Sequence, residues 1–157
     1  MNAERRRAKR RLSPREPEVR WLEGNEKELL LLLRSIETEY RLIIVVEGKR
    51  DERALRRLAI SKPILRTQSG KKREELIDRI VQTRSDDEEV LILTDFDVEG
   101  AELAEYIERQ LELKHIPVQK RLRGRIRKLM ANLRHVEQLI VLLRRRDSPL
   151  PLDHPDQ

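Results

Sequence analysis

The chain predicts an α/β protein in which one mostly parallel sheet of about four strands is covered by helices. Three observations predict it. Short apolar, β-branched runs alternate with amphipathic helical patterns from residue 42 onward, which is the signature of parallel strands joined by helical crossovers. Two of those runs, LIIVV and VLIL, end at carboxylates. The length of 157 residues and the 38% hydrophobic content match one ordinary domain with one core.

Residues 1–22 come first, with Pro14, Pro17 and a dense basic run. So few apolar side chains cannot offset the entropy of folding, and the segment is expected to be a mobile arm. Asn25 followed by Glu28 has the spacing of a capping box, and Leu29 to Leu33, Ile36 and Tyr40 supply the apolar face of a helix over residues 23–40. LIIVVEG then reads as a strand buried on both faces and ending at Gly48. Asp51 is placed to cap the helix DERALRRLAI, with Leu55, Leu58 and Ala59 on one face. Pro63 stops that helix and opens a second strand, PILR.

Leu76, Ile77, Ile80 and Val81 repeat at helical spacing across residues 73–84. EEVLILTDFD follows as a third strand running into acids. AELAEYIERQLEL continues as an amphipathic helix through Leu103, Tyr106 or Ile107, and Leu111, and IPVQKRL supplies a fourth strand. Beyond Gly124, Ile126, Leu129, Met130, Leu133, Val136, Leu139, Ile140 and Leu143 trace a helical stripe, as one helix or two. The last residues, 147–157, are Pro-rich and expected to be loose.

Charge is unevenly placed. Residues 1–20 carry eight Lys/Arg against three Glu, and residues 114–146 carry eleven against Glu137 alone. Residues 21–113 hold sixteen Lys/Arg against twenty-two Asp/Glu. An acidic middle between basic flanks suits carboxylates gathered around a metal, with basic surfaces holding a polyanion nearby; solvated helix faces give the same pattern. The 41% charged content and only three Asn lean towards heat adaptation. No Cys is present, which excludes disulfides and thiolate metal sites and fits a reducing, cytoplasmic setting. The longest apolar runs fall far short of the roughly 20 residues of a membrane span, and MNAERRRAKRR does not read as a secretory leader.

In a parallel sheet, ligands bind beyond the carboxyl ends of the strands. Glu47, Asp95 and Asp97 all sit at such ends. Carboxylates brought together repel one another, so a divalent cation among them is the expected partner. Oxygen-only ligation points to Mg²⁺, with Mn²⁺ as a substitute. The D-x-D pattern by itself also fits a solvated acidic turn.

VVEGKRD after one strand and LILTDFDVEG after a later one resemble, in order and spacing, the two acidic motifs of Toprim domains. The resemblance covers about residues 40–122 and places Glu47, Asp95, Asp97 and Gly100 on the motif positions. GKRDE after Glu47 is similar to the branch that includes the ribonuclease maturing 5S ribosomal RNA precursors. Small Toprim-only proteins of archaea share the GKRD, the T-D-x-D and a basic helical tail with a Val-Glu pair, here Val136 and Glu137. Ala101 stands where many relatives carry Glu directly after the glycine, with Glu102 one step later. Glu99 reads as a partner of the helix dipole or, through water, a ligand of a second ion.

The resemblance implies a Rossmann-like Toprim fold with an N-terminal helix and a basic C-terminal helical tail. It divides the chain into an arm (1–22), a helix (23–40), a Toprim domain (41–123), a basic helical extension (124–146) and a tail (147–157). It implies magnesium-dependent phosphoryl transfer, with one or two ions. Asp95 and Asp97 hold metal, and Glu47 is a ligand or exchanges a proton with the reacting oxygen. Lys49 and Arg50, beside Glu47, are candidates to grip phosphate or to pair with carboxylates.

SGKK, with Lys71 and Lys72, lacks the glycine and hydroxyl spacing of a nucleotide-binding loop. His115, His135 and His154 show no metal-ligand spacing and are expected outside the site. Tyr40 and Tyr106 read as packing.

Two functions fit these residues. One is a magnesium-dependent nuclease acting on nucleic acid, with RNA favoured over DNA by the likeness to the ribosomal RNA branch. The other is a metal- and nucleic-acid-binding module that works with a protein partner or as a homodimer without cutting.

Overall fold

The computed structural model describes residues 24–144 other than 71 and 132, and the backbone alone for residues 141–144. The expected arm, the loose tail, Lys71, His154 and the side chain of Leu143 lie outside the described residues. Helix α1 (Glu26–Glu39) leads into strand β1 (Leu42–Val46), helix α2 (Lys49–Arg57) and strand β2 (Ile64–Arg66). Helix α3 (Arg73–Thr83), strand β3 (Glu89–Ile92), helix α4 (Val98–Leu113) and helix α5 (Lys120–Met130) follow, with a 3-10 helix at Val136–Arg144.

The sheet has the order β2-β1-β3, and both pairings are parallel. Every residue of β1 is buried, as expected for a central strand covered on both faces. Its side chains alternate between two apolar layers. Leu42, Ile44 and Val46 join Leu91 and Leu93 beneath α1, α2, α5 and the 3-10 helix. Ile43 and Val45 join Val90 and Ile92 beneath α3 and α4. That two-residue period makes the register specific, since a one-residue slip exchanges the layers.

The expected fourth strand reduces to one parallel bridge, Val90 with Val118. Val90 donates its N–H to the Pro117 carbonyl at 3.0 Å and accepts that of Gln119 at 2.8 Å. Pro117 has no N–H to extend the ladder, and α5 begins at Lys120, so among the described residues the sheet stops at three strands.

Two expected caps are also corrected. Asn25 makes no side-chain cap; its Nδ2 reaches the Leu129 carbonyl at 3.4 Å and ties α1 to α5. Helix α2 starts at Lys49, two residues before Asp51, and the Asp51 carboxylate accepts the Gly48 N–H at 3.0 Å. Within the leucine run, Leu29, Leu30, Leu32 and Leu33 are buried and Leu31 is exposed. The basic stripe resolves into two pieces, because α5 breaks at Ala131 (φ 56°) before the 3-10 helix begins.

Candidate functional site

Strand pairing brings the acidic ends together. Val45 lies opposite Ile92, so Glu47, two residues on, comes level with the turn that follows β3. There the Asp95 N–H donates to Oε2 of Glu47 at 3.0 Å. On the other side of β1, Gln68 donates its N–H to the Glu47 carbonyl at 2.8 Å. Glu47 is therefore held from both neighbouring strands by backbone groups.

The turn carrying Asp95 and Asp97 is fixed from beneath. Thr94, fully buried, donates its hydroxyl to the Gly100 carbonyl at 2.7 Å. A Cβ on Gly100 would stand 2.0 Å from the Asp95 carbonyl oxygen, so the first turn of α4 passes this loop at a separation only glycine permits. Asp97 caps α4 by accepting the Gly100 N–H on Oδ1 at 2.7 Å, which fixes its χ1 and leaves Oδ2 outside the cap.

Arg123 of α5 adds a third restraint. Its guanidinium donates to the carbonyls of Ile92 and Thr94 at 2.9 Å and of Asp95 at 3.3 Å, and it lies over the Phe96 ring at 4.5 Å. Burial lowers its pKa to about 10, which still leaves it charged at neutral pH.

The segment after α5 closes over the same turn. Phe96 donates its N–H to the Arg134 carbonyl at 2.6 Å. Val136 donates its N–H to Oδ1 of Asp95 at 2.8 Å, and Nδ1 of His135 lies 3.1 Å from Oδ2. His135 was expected outside the site, and the structure places it inside. Its three-dimensional partners are forty and thirty-eight positions away, which is why no local spacing announced it. His115 is exposed, as expected.

Burial is the main reason that the Glu47 carboxyl titrates above its ordinary range, reinforced by the charges of Asp95, Asp97 and Asp51. Asp51 is raised in the same way, by burial first and then by Asp95 and Glu137. The His135 imidazole is raised by its hydrogen bond to Asp95. Such accumulated negative potential is what a cation would relieve.

The donor set fits a divalent cation. Asp95, Asp97 and His135 each offer one ligand atom, all within 4.8 Å of one another. Glu47 stands beside this set, committed through Oε2 to the Asp95 N–H.

Two recesses flank the centre. One, of about 280 Å³, is lined by Glu47, Lys49, Arg50, Asp51, Asp95 and His135, so both cations singled out in the sequence reach its rim. The other, of about 840 Å³, runs from Asp97 between α4 and α5. Arg127 and Arg134 line it on one side, and Glu102, Glu105 and Glu108 on the other. Tyr106 of α4 packs, partly buried, against one apolar layer and Tyr40 against the opposite one, as expected.

Comparison with known proteins agrees with this architecture. The Toprim domain family matches residues 42–129, from β1 into α5. A UPF0292 protein of Pyrococcus furiosus is 47% identical over 66 residues, covering 42% of this chain and 47% of its own. A UPF0292 protein of Thermococcus onnurineus is 42% identical over 74 residues, covering 47% of this chain and 52% of its own. The chain thus spans about half the length of the curated relatives it matches. A protein of Aquifex aeolicus of solved structure is similar with a TM-score of 0.56 and 27% identity, over 71% of this chain and 94% of that one.

Proposed function

The chain belongs to the Toprim domain family, and from that premise we propose that it is a magnesium-dependent phosphoryl-transfer protein, nuclease-like, that acts on nucleic acid with RNA favoured over DNA. The observation that carries this reading is the meeting of two strand ends, in which the Asp95 N–H bonds the Glu47 carboxylate beside the Asp95–Asp97 pair. A fold kept only for its shape has no need to gather carboxylates at one rim against their mutual repulsion.

Magnesium, when bound, supplies polarisation of a phosphoryl oxygen and neutralises charge on the leaving oxygen. Asp95 and Asp97 are the residues that would hold it. Glu47 has a different part. Its carboxyl is held by a backbone N–H and its proton affinity is raised by burial, which suits proton exchange with the reacting oxygen. Lys49 and Arg50, exposed at the rim of the recess with Glu47, would grip a phosphate of the strand. Arg127 and Arg134 extend that basic surface on the side of α5, so the backbone would run along α5 and away from the glutamates of α4.

The preference for RNA rests on the likeness of GKRDE to the ribosomal RNA maturation branch. The domain division read from the sequence, with a basic arm and a basic extension around the Toprim core, gives the polymer additional charge to bind. The cysteine-free composition supports a cytoplasmic setting, and no described helix is long and apolar enough to cross a membrane. The second reading, a binding module in a larger assembly, is favoured by one observation: Asp95 already has both carboxylate oxygens engaged by the 133–136 segment. Cleavage of labelled RNA and DNA with and without metal separates the two.

A further inference from the structure

We propose that His135 is itself a ligand of the divalent ion held by Asp95 and Asp97, and that its imidazole makes the centre bind manganese more tightly than magnesium. This inference rests on the reading of the acidic pair as a metal centre and adds to it a residue beyond the span matched by the Toprim family, which ends at residue 129.

The separation of the donor atoms carries it. Nδ1 of His135 lies 3.1 Å from Oδ2 of Asp95 and 3.9 Å from Oδ2 of Asp97. Ligands on adjacent positions around an ion at 2.0–2.2 Å stand about 3 Å apart, and those on opposite positions about 4 Å apart. The first distance matches adjacent positions and the second approaches that of opposite ones. One nitrogen atom thus lies within reach of both carboxylates.

The placement of the ring is not left to its own rotamers. Backbone bonds fix both neighbours: the Arg134 carbonyl accepts from Phe96, and Val136 donates to Asp95. The side chain of Gln138 accepts the N–H groups of Arg134 and His135 at 3.1 and 2.9 Å, which closes the turn. Leu133 and Val136 are buried on either side and anchor the segment in the core. The imidazole is thereby presented to the acidic pair by a preorganised turn, the usual requirement for a ligand supplied from a separate element. Its half-exposed side chain leaves the outer face of the centre open to water and phosphate oxygen.

Donor chemistry then sets the preference. Two carboxylates alone suit magnesium, which takes oxygen ligands and keeps much of its water. A neutral imidazole adds a nitrogen donor that magnesium uses poorly and first-row transition ions use well. The proposed set, two carboxylates and one histidine, therefore favours Mn²⁺ over Mg²⁺.

The test is calorimetric titration of the metal-free full chain with Mn²⁺ and with Mg²⁺ at about pH 8, above the ordinary range of imidazole, beside His135→Gln, His135→Ala and Asp97→Asn. Unfolding of each metal-free protein confirms its fold. Replacing His135 is expected to weaken Mn²⁺ roughly tenfold or more, as loss of a ligand must at least equal loss of an outer partner, while Mg²⁺ changes much less. Pulsed electron paramagnetic resonance of bound Mn²⁺ should show nitrogen coupling in the wild type and none in His135→Gln. If both His135 variants hold Mn²⁺ as tightly as the wild type, or more tightly, and no nitrogen coupling is seen, the ligand role is overturned while the acidic pair stands. If the wild type binds neither ion, the acidic-pair reading falls and the ligand role falls with it.

Discussion

The Asp95 N–H donates to Oε2 of Glu47 at 3.0 Å, joining residues that are forty-eight positions apart in the chain. This bond fixes how far β1 and β3 can slide at their carboxyl ends, and it engages one carboxylate oxygen of Glu47. It also separates two roles that a substitution would otherwise mix. Glu47→Gln can keep the acceptor and lose only the charge, whereas Glu47→Ala loses both. We expect Glu47→Gln to unfold within about 0.5 kcal/mol of the wild type, and Glu47→Ala to cost about 1–2 kcal/mol by leaving the Asp95 N–H without a partner. Denaturant titration of the two variants measures the difference.

Gly100 has no room for a side chain. The Cβ of an alanine there would meet the Asp95 carbonyl oxygen at 2.0 Å, and backbone on both sides cannot move without shifting Asp95 and Asp97. Gly100→Ala is expected to destabilise the fold by about 1–3 kcal/mol and to weaken metal binding by more than the loss of stability alone would. Gly124→Ala, at an exposed position of α5 with nothing within 4 Å, should do neither and serves as the control.

Arg123 holds the acidic turn through three carbonyls. Arg123→Met keeps length and apolar contact but leaves those acceptors unsatisfied, at an expected cost of about 2–4 kcal/mol. Arg123→Lys should recover only part, since one ammonium cannot reach all three oxygens with the geometry of a guanidinium. Chemical denaturation of the pair checks the order.

These residues mark what the sequence made legible and what it hid. Glu47, Asp95 and Asp97 were visible because each follows an apolar run, and the sheet forces strand ends onto one rim. The two layers of β1 were visible in its β-branched composition. Arg123 was hidden among five other Lys/Arg of α5, and only its position beside Leu122 and Ile126, on the buried face, could have singled it out. His135 was hidden because its partners belong to a different strand end, although Val136 and Glu137, flagged by resemblance, adjoin it. Pro117 was the signal that the fourth strand would not extend, and Gly48, by adopting an extended conformation, moved the helix start ahead of Asp51.

Asp51 gives a pH dependence with a definite sign. Its carboxyl is raised by burial and by the charges of Asp95 and Glu137, so the folded state binds its proton more readily than the unfolded state does. Stability from this group is present below the unfolded pKa of about 3.9 and is lost as pH rises through the folded value. Asp51→Asn, which can still accept the Gly48 N–H, should therefore unfold at a higher temperature than the wild type at neutral pH in chelator. That advantage should shrink as the solution is acidified. Thermal unfolding across pH follows it.

We propose that Glu47 and the Asp95–Asp97 pair form a metal-dependent centre that cuts nucleic acid. Incubation of labelled structured RNA, single-stranded DNA and duplex DNA with the full chain tests it most directly, in Mg²⁺, Mn²⁺ or chelator, beside Glu47→Gln and Asp95→Asn. Cleavage of RNA that needs metal and is lost in both variants while they remain folded is the expected result. Binding of the polymers by all three proteins with no cleavage in either metal would contradict it and leave the binding module as the function.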